Sequence, residues 1–296
     1  MTSSTSAAPE IPVPGVSGYL PCPSGRSLFC VSHTASPSSG GRLRGTILLL
    51  QTCSEERKAS HRTMVRLAGS LAAAGFTTHR VDLPGCGEST GTIGALRLAD
   101  WLADATYAAV TLLPESSDAA PTWLGGLRLG AAVAGLCPLP SLSAGSTQPH
   151  HPPHWLAIAP VLEGRAWLRQ LRTRRSIRSE LTAPAAAAAI PAESAAAPNM
   201  PATSLGAEDF DGMLLSASML ADLEALNLAT QLQRTSGIVI QAGPSKSVGR
   251  EFHALNTPAR TLKISAVRQE PFWERGEAVN DRPLIDALIA AVSQAL

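Results

Sequence analysis

The sequence predicts an α/β protein built on a doubly wound, mostly parallel sheet with helices on both faces. Two observations carry this expectation. Short apolar runs of strand length alternate with helical periodicity through the first half of the chain, in the order strand, helix, strand, helix, strand, helix, strand. Such alternation builds parallel sheets with right-handed crossovers. The run GTILLLQ at 45–51 is apolar without alternation and is bounded by turn residues, which suits a strand covered on both faces.

The elements follow in order. Residues 1–16 are polar and proline-rich and read as a flexible tail. LFCVS at 28–32 is a short strand, SPSSGG at 36–41 a turn, and 45–51 the first central strand. From 60 to 74, Met64, Val65, Leu67, Ala68, Leu71 and Ala72 recur at helical spacing, and Gly75 follows as the C-cap. TTHRVDL at 77–83 is a strand running into the turn Pro84-Gly85-Cys86-Gly87. A helix over 96–113, a strand over 122–125, a small-residue helix over 127–136 and a strand over 155–161 complete the first half, interrupted by a low-complexity loop at 141–153.

The alternation then stops. Residues 163–181 form an arginine-rich helix, with Arg165, Arg169, Arg172, Arg174, Arg175 and Arg178, whose basic side is either a solvated lid face or a polyanion contact. An Ala/Pro/Ser tract at 182–206 reads as a disordered loop. Order resumes over 210–227, with a helix from about Ala217. A strand at 237–242, a helix at 248–255, a strand at 261–267 and an amphipathic helix at 282–296 close the chain. The expected organisation is a core of 17–161 and 235–296, with 162–234 as a lid insertion.

Composition narrows the class. At 296 residues the chain allows one or two domains, and 45% hydrophobic residues exclude global disorder. The 24 basic and 23 acidic side chains leave a net charge of +1, which gives no reason to expect nucleic acid or an anionic membrane as partner. Five cysteines without CxxC spacing point away from a disulfide framework and from structural zinc. The first residues lack a basic stretch followed by an apolar one, and no apolar run approaches the ~20 residues of a membrane span. A cytoplasmic protein with no cofactor, no metal and no membrane span is expected.

Three segments together resemble the α/β-hydrolase fold. The strand at 45–51 leads through a loop into a helix. Asp82, Gly85, Gly87 and Ser89 match a D-x-x-G-x-G-x-S turn, and Gly126-Leu127-Arg128-Leu129-Gly130 has the G-x-S-x-G spacing of a nucleophile elbow. More narrowly, CSEERKASHR (53–62), DLPGCGES (82–89), GLRLGA (126–131), DGMLLSASM (211–219) and EPFWERGE (270–277) resemble the second type of exosortase A system-associated hydrolase. That resemblance implies a bacterial exopolysaccharide setting. It also implies hydrolysis of an ester or amide in a small-molecule, saccharide or lipid-linked substrate.

The catalytic positions of that fold are filled unusually. A serine hydrolase needs a nucleophile at the elbow, a histidine as base and an acid to orient it. The elbow residue here is Arg128, a permanent cation with no lone pair to offer. Gly243-Pro244-Ser245-Lys246 follows the strand where the acid is expected, and 268–273 contains no histidine. Arg128 therefore either binds an anionic ligand, flanked by Gly126 and the cleft residues Gln51 and Trp273, or is salt-bridged to Glu55 or Glu56. Chemistry relocated to the 51–62 loop would use Glu55 or Glu56 as a base for water, or Cys53 as a nucleophile with His61 as its base. Cys53 is otherwise a semi-buried free thiol. The histidines of QPHHPPH at 148–154 lack a nearby ordered acid or cysteine to complete a metal site, so no metal is expected there.

Overall fold

The computed structural model describes residues 14–36, 43–114, 120–139, 151–186, 206–274 and 279–295. Most of the expected tail, the turn at 37–41, most of the 141–153 loop and most of the Ala/Pro tract lie outside the described residues.

Strand β1 (Val16–Pro21) pairs antiparallel with β2 (Ser27–His33), and β2 antiparallel with β4 (Phe76–Val81). The remaining strands of this sheet are parallel: β3 (Gly45–Leu50), β5 (Thr122–Leu127), β6 (His154–Ile158), β9 (Ser236–Gly243) and β10 (Thr261–Arg268). They form one 8-stranded sheet in the order β1-β2-β4-β3-β5-β6-β9-β10. β3 and β5 are buried along their whole length, as the unbroken apolar run of β3 requires. Helix α1 (Ser54–Ala73) and the terminal α8 (Arg282–Ser293) pack on one face around Met64, Leu67, Trp123 and Leu288. Helices α2 (Leu98–Leu112) and α3 (Leu129–Leu136) cover the other, with Trp101 and Trp155 in the core beneath them. The chain winds outward from β3 to β4, then returns to the opposite side of β3 as β5. The carboxyl ends of β3 and β5 thus form a topological switch point, where open α/β sheets place ligands.

Between β6 and β9 the chain makes α4 (Gly164–Ala186), the hairpin β7 (Glu208–Phe210) and β8 (Met213–Leu215), α5 (Ala217–Glu224) and the short α6 (Leu228–Gln231). A short α7 (Arg250–His253) joins β9 to β10. No helix among the described residues is long and apolar enough to cross a membrane.

Two expectations need correction. The ordered part begins earlier than the apolar pattern suggests: β1 starts at Val16 although most of its side chains are exposed, so no alternation marks it. Helix α1 begins at Ser54, not at residue 60, because its first turn is polar and shows no apolar period. Glu55 and Glu56 are therefore first-turn helix residues rather than loop carboxylates. The stretch from 208 to 215 is a hairpin whose two-residue turn, Asp211-Gly212, has positive φ at both positions (55° and 91°), as an Asp-Gly hairpin turn demands.

Candidate functional site

The elbow is built by close packing. A Cβ on Gly126 or Gly130 would strike the backbone carbonyl of Leu50, so β5 and α3 approach β3 this tightly only because both positions are glycine. Between them Arg128 takes φ 52° and ψ −119°. Its N–H donates to the Ile158 carbonyl at 3.0 Å, and its carbonyl accepts from Ala132 at 3.2 Å and Val161 at 3.3 Å. Ser54 (φ 58°) after β3 and Ala159 (φ 43°) after β6 share the left-handed sign of φ. Non-glycine residues held in such conformations cluster at functional sites, and here three stand at the carboxyl ends of three neighbouring strands.

The Arg128 side chain folds inward. Its Nη2 donates to Glu56 Oε1 at 3.4 Å and Gln170 Oε1 at 3.3 Å, its Nη1 donates to the Ala159 carbonyl at 3.4 Å, and the guanidinium lies over the Trp273 ring at 5.1 Å. Glu56 is the hub. Only 1% exposed, it also accepts from Thr52 Oγ1 at 3.3 Å, Trp167 Nε1 at 3.3 Å and Arg174 Nη1 at 3.5 Å. A buried carboxylate requires such compensation. Of the two acids the sequence offered as partners, Glu56 takes Arg128, whereas Glu55 pairs with Lys58 at 2.7 Å near the surface. Trp167, Gln170 and Arg174 complete this cluster, beyond the site residues the sequence suggests. Their spacing puts them on one face of α4, and that face was the signal available.

Cys53 sits at the N-cap of α1, wholly buried. The neighbouring Cys86 thiol and burial, with the charge of Glu56 adding, raise its pKa well above the ordinary thiol value. No hydrogen bond among the described residues links it to His61, which lies along α1. A thiol in this state holds its proton at neutral pH, the opposite of an activated nucleophile. Asp82 accepts a bidentate pair from Arg57 at 2.9 and 2.6 Å and the Glu88 N–H at 3.2 Å, and its backbone carbonyl accepts from Ser89 Oγ at 2.8 Å. It braces the turn after β4. Past β10, buried Gln269 donates to the Asn280 carbonyl at 3.0 Å. Among the described residues no group of three or more His, Cys, Asp or Glu is arranged to hold a metal. His154 instead bonds Ser236 Oγ at 2.8 Å and packs on Trp123.

Beside the Arg128–Glu56 pair opens a pocket of about 430 Å³, within the ~300–1,000 Å³ range of small-ligand sites. Its walls are the first turns of α1 (Ser54, Lys58), the middle of α4 (Arg174), the β7–β8 turn (Phe210) and the segment after β10 (Trp273, Glu274). Near the elbow several polar atoms are sealed from solvent without a hydrogen-bond partner: Ser54 Oγ, Trp273 Nε1, Arg128 Nε and both amide atoms of Gln51. The arginines of α4 are largely neutralised within the chain: Arg172 by Glu208 and Glu224, Arg175 by Glu208, and Arg178 by Asp211. That leaves little of the helix's charge for a polyanion.

The architecture is the α/β-hydrolase fold. Among solved structures the chain is similar to Est1E from Butyrivibrio proteoclasticus bound to ferulic acid (14% identity, 94% of this chain and 98% of that one, TM-score 0.56). It is also similar to a hydrolase from Pseudomonas aeruginosa (17%, 94% and 97%, TM-score 0.54) and to alpha/beta hydrolase domain-containing protein 10 from mouse (14%, 95% and 100%, TM-score 0.53). Likeness at such identities speaks for the fold alone. No protein-family model and no curated protein matches the chain.

Proposed function

We propose that this chain is a small-molecule binding protein on an α/β-hydrolase fold, without a working Ser-His-Asp triad. The observation that carries this reading is the ion pair of Arg128 with Glu56 at the elbow. A guanidinium stands where a nucleophile would be needed, and its Nη groups are spent on Glu56, Gln170 and the Ala159 carbonyl. Arg128 is thus a structural cation, and the ligand is taken into the neighbouring pocket, with α4 and the β7–β8 hairpin as its lid. Of the binding residues the sequence suggests, Trp273 lines this pocket, whereas Gln51 and Gly126 are buried beside it and do not. The resemblance to exosortase A system-associated hydrolases puts the ligand among saccharides or lipid-linked intermediates of exopolysaccharide synthesis.

A second reading, ester or amide hydrolysis by a relocated site, is favoured by the strained backbone at Ser54, Arg128 and Ala159. It would fall to Glu55, Glu56 or Cys53. Glu56 is locked by two arginines and Cys53 is protonated and buried, so this reading ranks below the first. Turnover of short-chain aryl esters by the purified protein separates the two. The expected rate is that of buffer, for wild type as for Cys53→Ala and Glu55→Gln. Turnover that exceeds buffer and falls in either variant would establish the relocated enzyme instead.

A further inference from the structure

We infer that the chain carries an oxyanion site on a second face of α1, where Arg80 of β4 and His61 of α1 together take a phosphoryl group. The site is separate from the pocket. Ser54, Glu55, Lys58 and Ala59 line the pocket, whereas Arg57 and His61 lie one turn apart on another face of the helix. Arg57 anchors that face by donating to both carboxylate oxygens of Asp82. Arg80 stands two residues before Asp82, so both side chains leave the strand on the side of α1, where Phe76 packs with Met64 and Leu67. β3 and β4 are parallel, and α1 is the crossover between them, so the helix runs back against β4. The step from Arg57 to His61, about 5.4 Å along the helix, therefore matches the step of about 6.6 Å from Asp82 back to Arg80. His61 thus comes level with Arg80.

Arg80 lacks a counter-charge. It is 8% exposed. Among the described residues it forms no ion pair, and its one hydrogen bond runs from Nε to Nε2 of buried His33 at 3.5 Å, the outer limit of such a contact. Asp82 cannot serve it, because both oxygens are held by Arg57. A Cβ at Gly87 would strike that pair, so the turn after β4 keeps it closed. Neither Nη of Arg80 is among the sealed polar atoms, so the tip of the side chain meets solvent while its stem is buried. Burial holds the guanidinium below its ordinary pKa, and the charge of Arg57 adds to this against the pull of Asp82. A buried cation without compensation is costly, and an anion here offsets that cost. Partial burial, then the charges of Arg80 and Arg57, also lower the pKa of His61 from 6.5, against the pull of Asp82. Its ring is therefore neutral at neutral pH and offers one N–H. The planar fork of Arg80 takes two oxygens of an oxyanion. A carboxylate would then have none left, whereas a tetrahedral phosphoryl group keeps a third for His61.

The test titrates inorganic phosphate, phenyl phosphate and acetate to millimolar concentration into the isotope-labelled full-length protein, with ionic strength held by chloride. The Arg80 Nε–H and His61 ring resonances are assigned by Arg80→Lys and His61→Gln. Phosphate is expected to move both resonances, to raise the titration midpoint of His61 and to bind about tenfold more tightly than acetate. Phenyl phosphate binding more tightly than phosphate would assign the site to the phosphoryl group of a larger molecule, and equal or weaker binding to the free anion. The exposed His61→Gln keeps the unfolding midpoint and weakens phosphate severalfold, while Arg80→Lys, which retains the charge but loses the fork, abolishes the preference over acetate. Equal effects of phosphate and acetate, or no shift with either phosphate, overturn the site. Phosphate binding that ignores both variants overturns it as well.

Discussion

At the scale of single residues the elbow is decided by Arg128, whose backbone and side chain are held for different reasons. The backbone at φ 52° and ψ −119° suits glycine, while the side chain compensates Glu56. Arg128→Gly and Arg128→Ala both remove the guanidinium, but only alanine retains the strain. Both variants are therefore destabilised, and the glycine variant is the more stable of the two by about 1 kcal/mol in urea unfolding. Equal stabilities would mean that the elbow relaxes when the side chain is lost. That Arg128 sits at an elbow was legible from the Gly126 and Gly130 spacing. Glu56 was legible as one of two acids. The sequence could not choose between them, because the choice depends on where α1 begins, and a polar first turn carries no apolar period to mark it.

At the scale of elements, the packing of β3, β5 and α3 rests on missing side chains. A Cβ at Gly130 would lie against the backbone carbonyls of Leu50 and Gln51, which cannot move without breaking the sheet. Gly130→Ala is expected to cost about 3 kcal/mol or to prevent folding. Gly243→Ala, where a Cβ meets nothing within 4 Å, is expected to be near neutral. Comparable unfolding midpoints for the two would refute this account of the elbow. The parallel strands were legible because burial on both faces makes them continuously apolar. β1 was not, since an exposed edge strand leaves no such trace. The face of α4 that meets Glu56 leaves no such trace either, because its partner lies more than a hundred residues away in sequence.

At the scale of the molecule, the segment between β6 and β9 is tied down by ion pairs. Glu208 accepts from Arg172, and Asp222 of α5 accepts a bidentate pair from Arg97 at the start of α2. Hydrogen bonds from these arginines hold both carboxyls below their ordinary pKa values of 4.5 and 3.8. A carboxyl whose pKa is depressed on folding stabilises the fold above its unfolded value, and the contribution is lost as pH falls through the folded one. Stability contributed by these pairs is thus present at neutral pH and declines once pH drops below about 4.5. Hydrogen exchange of β7, β8 and α5 is expected to accelerate there before that of β3 and β5. Simultaneous acceleration throughout would show that the segment opens only with the core.

The most direct measurement of the central claim is a double-mutant cycle on Arg128→Ala and Glu56→Gln, read by urea unfolding. If the elbow cation is bound into the fold by Glu56, each single change is destabilising. The pair then couples by about 1–3 kcal/mol, the double variant losing less than the sum of the singles. Strictly additive effects would mean that Arg128 is free of Glu56 and available to a ligand, and the binding site would then have to be drawn around the elbow itself.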